Sequence, residues 1–145
     1  MDDIERLDAI EEIKQLKARY FRCMDTKDWD GMRAVFTDDV VIDTTQDAGG
    51  EAISGADTFM PFLRSHIEDV LTTHHGHMPE ITITSPTTAT GIWAMEDMLR
   101  WPEGGPFRHL HGYGHYHETY ERTEGGWRIK TLTLTRLRVD IDMPE

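Results

Sequence analysis

Residues 107–140 read FRHLHGYGHYHETYERTEGGWRIKTLTLTRLRVD, and this stretch determines the fold class. Apolar or aromatic residues alternate with polar ones through both halves, a period of two that is typical of β-strands. The turn-forming residues 123–126 (TEGG) separate the halves and predict a hairpin that pairs 107–121 with 127–140. Two long antiparallel strands are therefore expected in the last third of the chain.

Further strands are predicted before this hairpin. Residues 81–84 and 87–100 have strand patterns joined at Ser85-Pro86, and residues 101–106 (WPEGGP) form a turn cluster. The β-branched residues 40–42 predict a short additional strand. Such long strands in so short a chain favour a strongly curved sheet.

The first third of the chain has helical spacing. Seven apolar residues recur every three or four positions and predict a long helix that reaches about Asp25: Ile4, Leu7, Ile10, Ile13, Leu16, Tyr20 and Met24. A short helix follows with Asp28 as its N-cap, then a loop over 49–55 and a third helix over 56–71. Helices followed by a meander of strands predict an α+β fold in which helices on one face of the sheet enclose a cavity.

Composition restricts the function. The chain has 145 residues, which predicts a single domain over 1–145. With 15 basic and 27 acidic side chains the formal charge is −12, which argues against nucleic acid and anionic membranes as partners. No apolar run approaches a membrane span of ~20 residues, and the acidic start MDDIERL does not resemble a signal peptide. The single Cys23 excludes a disulfide framework, so we expect a cytoplasmic protein.

Three groups of residues could carry chemistry. Tyr20 and Asp25 lie near the end of the first helix, residues 73–77 read THHGH, and residues 109–117 read HLHGYGHYH. Each has a structural alternative: Tyr20 fits the apolar stripe of its helix, and 73–77 could be a polar loop. The four histidines of 109–117 share one strand face, which fits a solvated or subunit-facing surface or, alternatively, a metal site.

Acid–base chemistry is the simplest use of these residues. A histidine has a pKa near 6.5, and a carboxylate on its far ring nitrogen fixes its tautomer and stabilises the imidazolium. In an apolar pocket such a pair abstracts a proton next to a carbonyl, and a tyrosine hydroxyl nearby polarises that carbonyl. The chain has no phosphate loop, dinucleotide fingerprint or nucleophile elbow, so no nucleotide cofactor is expected.

Three motifs occur in chain order: YFRCMDTKDW at 20–29, TH at 73–74, and YER at 120–122 ahead of GW at 126–127. Their order and spacing resemble the SnoaL-like group of the nuclear transport factor 2-like superfamily over nearly the whole chain. The resemblance implies a cone-shaped α+β barrel, with a curved antiparallel or mixed sheet and N-terminal helices that close a pocket.

Within this group the chain is similar to the dehydratase branch. Scytalone dehydratase, bile-acid 7-alpha-dehydratase and hexachlorocyclohexane dehydrochlorinase pair an aspartate at the position of Asp25 with a histidine at that of His74. The resemblance implies that His74 is the base and Asp25 its orienting partner. It gives Tyr20 the role of polarising or proton-donating group, and Asp97 a supporting polar role.

Several neighbours are expected to contact the substrate. Alternation places Trp93 and Met95 on the same strand face as Asp97, and the resemblance points Tyr116 inward, with the histidines of 109–117 outward. His75 is a second choice for the base position, because a one-residue shift in register would exchange it with His74.

Met24 corresponds to a position where scytalone dehydratase holds its active-site water, as do Thr44 and Leu99. None of the three matches the water-binding residues of that enzyme, so scytalone itself is not the expected substrate.

Together these features predict a cofactor-independent and metal-independent lyase that removes water from a small apolar cyclic hydroxy-carbonyl compound. The alternatives are a ketosteroid-type isomerase or polyketide cyclase with the same His–Asp pair, and a non-catalytic protein that binds a hydrophobic ligand. The resemblance also implies a homo-oligomer, with a trimer favoured over a dimer.

Overall fold

The computed structural model describes residues 1–144, which form four helices and six strands. In chain order these elements are α1 (Asp3–Asp25), α2 (Trp29–Arg33), β1 (Phe36–Asp43), α3 (Thr45–Ala48), β2 (Ile53–Ser54), α4 (Ala56–Ile67), β3 (Leu71–Ser85), β4 (Thr88–Arg100), β5 (His109–Thr123) and β6 (Gly126–Asp142).

The two ends of α1 are fixed by specific caps. Asp2 and Glu5 form a capping box, in which each side chain accepts a hydrogen bond from the other residue's backbone N–H. At the other end Lys27 takes a left-handed conformation with φ of 61°, and Asp28 then caps α2 by accepting from the Gly31 N–H at 3.0 Å. The predicted helix through Asp25 and the N-cap at Asp28 are confirmed.

The six strands form one sheet with the order β2-β1-β6-β5-β4-β3. All neighbouring pairs are antiparallel except β1 and β6, which run parallel, so the sheet is mixed. The expected α+β class, with a curved mixed sheet and N-terminal helices, is confirmed. Some elements differ from expectation. The helix α4 ends at Ile67, because the Val70 N–H turns back to the Ile67 carbonyl, and β3 runs unbroken from Leu71. The short helix α3 was not expected, and the predicted loop over 49–55 contains the two-residue strand β2, which pairs with β1. The polar loop considered for residues 73–77 is therefore wrong, because these residues lie within a strand.

A register shift in β6 decides which of its residues point inward. Trp127 and Ile129 are buried, but after the irregularity between Thr119 and Tyr120 of β5 the buried positions become Leu132 and Leu134. One extra residue on one strand reverses the phase of every side chain that follows it. Arg136, two residues after Leu134, consequently lies on the inner side of the sheet.

The core lies between the helices and the concave face of the sheet. Its least exposed side chains come from α1, α2, β1 and β6, and include Ile13, Leu16, Met32, Val40, Ile129 and Leu132, each no more than 1% exposed. The burial of these apolar groups is the main force that holds α1 across the sheet. In the described part of the chain, none of the helices has the length and apolar character of a membrane span.

Candidate active site

His74 and Asp25 form a closely hydrogen-bonded pair between β3 and the last turn of α1. The Nδ1 atom of His74 lies 2.7 Å from Oδ1 of Asp25, and the His74 backbone N–H donates to Oδ2 of the same carboxylate at 2.8 Å. Because a carboxylate accepts, Nδ1 carries the proton, and Nε2 of the neutral ring keeps its lone pair. The His74 side chain is 8% exposed, so this basic nitrogen is nearly enclosed.

Asp25 is held as a carboxylate by its hydrogen bonds. Burial alone would raise its pKa, but the His74 side chain, the His74 backbone N–H and the Thr72 hydroxyl together lower the pKa of Asp25 below its usual value. The Thr72 hydroxyl donates to Oδ1 at 2.9 Å and accepts from Nζ of Lys27, also at 2.9 Å. The left-handed residue that closes α1 therefore also fixes the hydroxyl that orients Asp25.

A second carboxylate faces the other side of the imidazole. Oδ2 of Asp97 lies 3.9 Å from Nε2 of His74, beyond hydrogen-bond length but close enough for strong electrostatic interaction. Asp97 is 4% exposed and accepts two hydrogen bonds from Arg136, Nη1 to Oδ1 at 2.8 Å and Nη2 to Oδ2 at 3.0 Å. Gly112 makes room for this ion pair, since a Cβ there would overlap Arg136 and Asp97.

Arg136 also binds Asp47, the third carboxylate of the site, which lies on the short helix α3. Its Nε donates to Oδ1 of Asp47 at 2.7 Å, and its Nη2 donates to Oδ2 at 2.8 Å. Its remaining contact is the Met95 sulfur, 3.5 Å from Nη1. The guanidinium is thus saturated by two carboxylates, and these hydrogen bonds raise its pKa even though burial opposes the charge.

A cavity of about 550 Å³ opens beside this ion pair. Its lining is partly polar and partly apolar. The polar residues are Asp47, Ser65, His66, Asp69, Asp97 and Arg136, and the apolar residues include Ile67, Val70, Leu99, Trp101, Phe107 and Leu110. His74 does not itself line the cavity, but its Nε2 lies 3.9 Å from the carboxylate of Asp97, which does. A ligand in this cavity would meet the Asp97–Arg136 pair before it reached the histidine.

The predicted substrate contacts lie outside this cavity. None of Met24, His75, Trp93, Met95 and Tyr116 lines the cavity at Asp97. Four of them are buried in the core. Trp93 lines a separate cavity beside α1, of about 560 Å³. The role of these residues in substrate binding therefore stays a prediction.

His75 is the fifth, and it lies exposed on the outer face of β3. The expected second choice for the base is thus incorrect, because the register of β3 turns His74 inward and both His75 and His77 outward. On that outer face Glu96 accepts hydrogen bonds from His77 at 3.2 Å and from His111 at 2.9 Å. Across residues 1–144 no group of three or more His, Cys, Asp or Glu side chains has the arrangement of a metal site.

Tyr20 is packed among aromatic rings. It makes edge-to-face contacts with Phe21, Phe36 and Tyr116, with ring centroids 5.3, 6.1 and 5.8 Å away. Burial, followed by the nearby carboxylates of Glu118, Asp97 and Asp25, raises the pKa of Tyr20. This position is compatible with the core-packing alternative for Tyr20. It is also compatible with the predicted place of Tyr20 near the Asp25 site, because the hydroxyl keeps its proton and remains a donor.

A buried ion pair lies beneath these rings. Nζ of Lys17 is 2.6 Å from Oε2 of Glu118, and both side chains are fully buried. The ammonium also lies over the rings of Tyr20 and Tyr116, 3.6 and 3.7 Å from their centroids. Burial, partly offset by Glu118, lowers the pKa of Lys17 to about 8.

Several site residues escape the sequence reasoning, among them Asp47, Thr72, Arg136 and Lys17. If alternation is counted from Trp127, Arg136 is predicted to face outward with the polar residues of β6. The apolar positions switch to Leu132 and Leu134, and this switch is the sequence signal that Arg136 faces inward. Lys17 lies one turn after Ile13 on the apolar stripe of α1, which is the sequence signal for its burial.

Comparison with known proteins agrees with this architecture. The chain is 25% identical to the Kfla4162 protein of Kribbella flavida, with 93% of this chain and 95% of that chain covered and a TM-score of 0.85. A protein of Novosphingobium aromaticivorans named for scytalone dehydratase shares the fold at 19% identity and a TM-score of 0.87, with coverage of 99% and 94%. The hexachlorocyclohexane dehydrochlorinase LinA-type3 of Novosphingobium barchaimii shares it at 17% identity and a TM-score of 0.83, with coverage of 97% and 94%.

Sequence comparison extends this to a fungal protein and to a family. The chain is 24% identical to the probable cyclase FGR4 of Gibberella zeae over 134 residues. The aligned region covers 86% of this chain and 89% of that protein. The model of the SnoaL-like domain family matches residues 5–133. The chain therefore belongs to the SnoaL-like family of the nuclear transport factor 2-like superfamily.

Proposed function

We propose that the protein is a cofactor-independent lyase that removes water from a small apolar cyclic hydroxy-carbonyl compound by base catalysis at His74. The observation that carries the proposal is the place of His74, with Nδ1 bound to Asp25 at 2.7 Å and Nε2 facing Asp97 at 3.9 Å. Similarity to proteins named as a dehydratase and a dehydrochlorinase supports an elimination reaction.

The two carboxylates have different roles in this mechanism. Asp25 accepts a hydrogen bond from the Nδ1–H of His74. The lone pair of Nε2 is therefore available to take a proton from a substrate carbon next to the carbonyl. The imidazolium that forms then lies between two carboxylates, Asp25 and Asp97, which stabilise its positive charge.

In this proposal the developing oxyanion is stabilised by the positive charge of Arg136 and by the hydroxyl of Tyr20. Arg136 brings a permanent positive charge to the cavity wall beside Asp97, and Tyr20 supplies a hydroxyl that stays protonated. Removal of the carbon-bound proton gives the enolate, and its collapse forms the C=C bond and breaks the C–O bond. The departing hydroxide takes a proton from the His74 imidazolium and leaves as water, which returns His74 to its neutral, basic form.

The first test uses a bicyclic β-hydroxy ketone such as 3-hydroxytetralone as the probe. Dehydration yields a conjugated product, which is followed by ultraviolet absorbance and by the mass of one lost water. We expect His74→Gln to lower kcat/KM by at least ~10²-fold, the scale of lost general-base catalysis. His75→Gln is the matched control, because this neighbouring histidine points to the outer face and its loss should leave the rate unchanged.

Similarity to a probable cyclase favours one alternative, a cyclase or isomerase that uses the same pair. These reactions move a proton without loss of water, so a product of unchanged mass from a hydroxyl-free cyclic ketone would replace the dehydratase assignment. A protein that binds hydrophobic ligands without turnover is the remaining alternative. Ligand binding that His74→Gln does not change, with no product from either probe, would establish it.

We also propose that the protein works in the cytoplasm as a homo-oligomer. The single Cys23, which is buried and unpaired, supports a reducing compartment, and the homo-oligomer is what the family resemblance implies. Light scattering coupled to gel filtration distinguishes a trimer, the favoured state, from a dimer or a monomer.

A further inference from the structure

The outer edge of Arg136 is occupied by a side chain of the protein itself. Nε and Nη2 of Arg136 donate to the two oxygens of Asp47 at 2.7 and 2.8 Å, the paired geometry with which arginine binds any carboxylate. The other edge belongs to Asp97, which is 4% exposed and cannot be exchanged without burying an unpaired charge. Only the Asp47 edge is therefore open to exchange.

Asp47 is held in place by few other contacts. It lies on the four-residue helix α3, whose N-cap Thr44 makes no capping hydrogen bond through its side chain, and which is followed by Gly49 and Gly50 with φ of 69° and 72°. A neighbouring side chain of α3 holds the segment separately, because Oε1 of Gln46 accepts from the Arg136 backbone N–H at 2.7 Å. The Asp47 side chain is 33% exposed, so rotation about its side-chain bonds can turn it towards solvent while α3 stays in position.

The space next to Asp47 suits a ring-bearing ligand. Asp47 and Arg136 line the cavity of about 550 Å³, a volume in the range of small-molecule sites. Leu99, Trp101 and Phe107 also line the cavity, and they offer an apolar surface near the positively charged Arg136. A planar carboxylate attached to an apolar ring satisfies both parts.

We propose that Asp47 occupies a carboxylate-binding site, and that an apolar ring-bearing carboxylic acid displaces it and binds Arg136 in its place. The exchange replaces one carboxylate by another, so the charge balance around Arg136 and Asp97 is unchanged. The ligand gains the burial of its ring against Trp101 and Phe107, which the Asp47 side chain does not provide. For the proposed reaction, this implies a hydroxy-carbonyl substrate that carries a carboxylate, and this claim rests on the proposed function. Binding of a ring-bearing carboxylic acid at Arg136 does not rest on it.

Binding of naphthoate to the full-length protein tests this by calorimetry, with naphthamide as the uncharged ligand of the same shape. Asp47→Asn removes the competing charge at nearly constant size, and we expect naphthoate to bind it at least about tenfold more tightly than wild type. Naphthamide should bind both proteins equally. Asp57→Asn is the matched control, because it also removes one negative charge, from an exposed aspartate paired with Arg33 far from the cavity.

Three results would overturn the proposal. The first is equal affinity of naphthoate for wild type and Asp47→Asn, and the second is an equal gain for Asp57→Asn, which would show a general effect of net charge. Loss of the gain in the double variant Asp47→Asn/Arg136→Lys would locate it at the guanidinium, and retention of the gain there would also reject the site. Because none of these measurements uses turnover, their outcome is independent of whether 3-hydroxytetralone is dehydrated.

Discussion

His74 holds one carboxylate at two points: its ring Nδ1 lies 2.7 Å from Oδ1 of Asp25, and its backbone N–H lies 2.8 Å from Oδ2. The second contact ties the end of α1 to the backbone of β3, so the histidine and its partner move as one unit. This arrangement fixes both the ring orientation and the tautomer before a substrate arrives.

Asp25→Asn should therefore lower kcat/KM for a dehydration probe by at least ~10²-fold, because an amide leaves the imidazole without a fixed tautomer. Thr72→Val is a graded control, since it removes one donor to Asp25 but leaves both contacts with His74. We expect a loss of only a few-fold for Thr72→Val, measured by steady-state kinetics with circular dichroism as the check on folding. Equal losses in the two variants would contradict the tautomer argument.

The same carboxylate should contribute to stability in a pH-dependent way. The folded-state pKa of Asp25 is lowered from 3.8, so its contribution is present above that value and is lost as the pH falls through the folded pKa. Urea unfolding between about pH 5 and pH 2 should show a weaker loss of stability in Asp25→Asn than in wild type. Parallel curves for the two proteins would show that Asp25 has no such linkage.

Lys17 and Glu118 should be replaceable together but not singly. Lys17→Met alone leaves Glu118 buried without a cation, which is expected to cost about 3–5 kcal/mol of unfolding free energy. The double variant Lys17→Met/Glu118→Gln removes both charges and keeps an acceptor for the Tyr120 hydroxyl, so its stability should return close to that of wild type. Additive losses in denaturant unfolding would reject this coupling.

Lys17 also predicts the alkaline behaviour. Its pKa is about 8 in the folded protein and 10.5 as the ordinary value, so the unfolded chain binds more protons in this interval and stability should rise with pH from about 8. Above pH 10.0 the buried tyrosines Tyr20 and Tyr116, whose pKa values are raised, reverse the trend, because the unfolded tyrosines ionise first. The rise should be absent from the Lys17→Met/Glu118→Gln variant, as measured by chemical unfolding at several pH values.

Gly112→Ala should damage the site through its packing. The new methyl group would overlap the Asp97–Arg136 ion pair, so we expect a loss of about 1–3 kcal/mol in stability, together with reduced activity. Gly125→Ala is the control, because its Cβ would meet only the flexible end of Arg128 in an exposed turn. Thermal unfolding of both variants distinguishes a specific clash from the general cost of replacing a glycine.

The sequence by itself determined the element order and the first half of the site. The apolar period of α1 places Tyr20 on the buried stripe and Asp25 at the end of the helix, and the alternation in β5 separates inward Gly112 and Tyr116 from the outward histidines. These are local properties, because a helix or strand repeats its faces at a fixed period. Helical and strand periods were thus sufficient for the α+β class, whereas the site roles of Asp25 and Asp97 were predicted from the resemblance to the SnoaL-like group.

Only the tertiary structure decided where the second half of the site lies. The irregularity in β6 shifts the phase between Ile129 and Leu132, and this shift turns Arg136 inward to meet Asp97 and Asp47. Likewise the register of β3 against β4 selects His74 over His75, a choice that a one-residue slip would reverse. Local periodicity does not specify such pairings, because they depend on which strands lie side by side and on what fills the space between the sheet and α1.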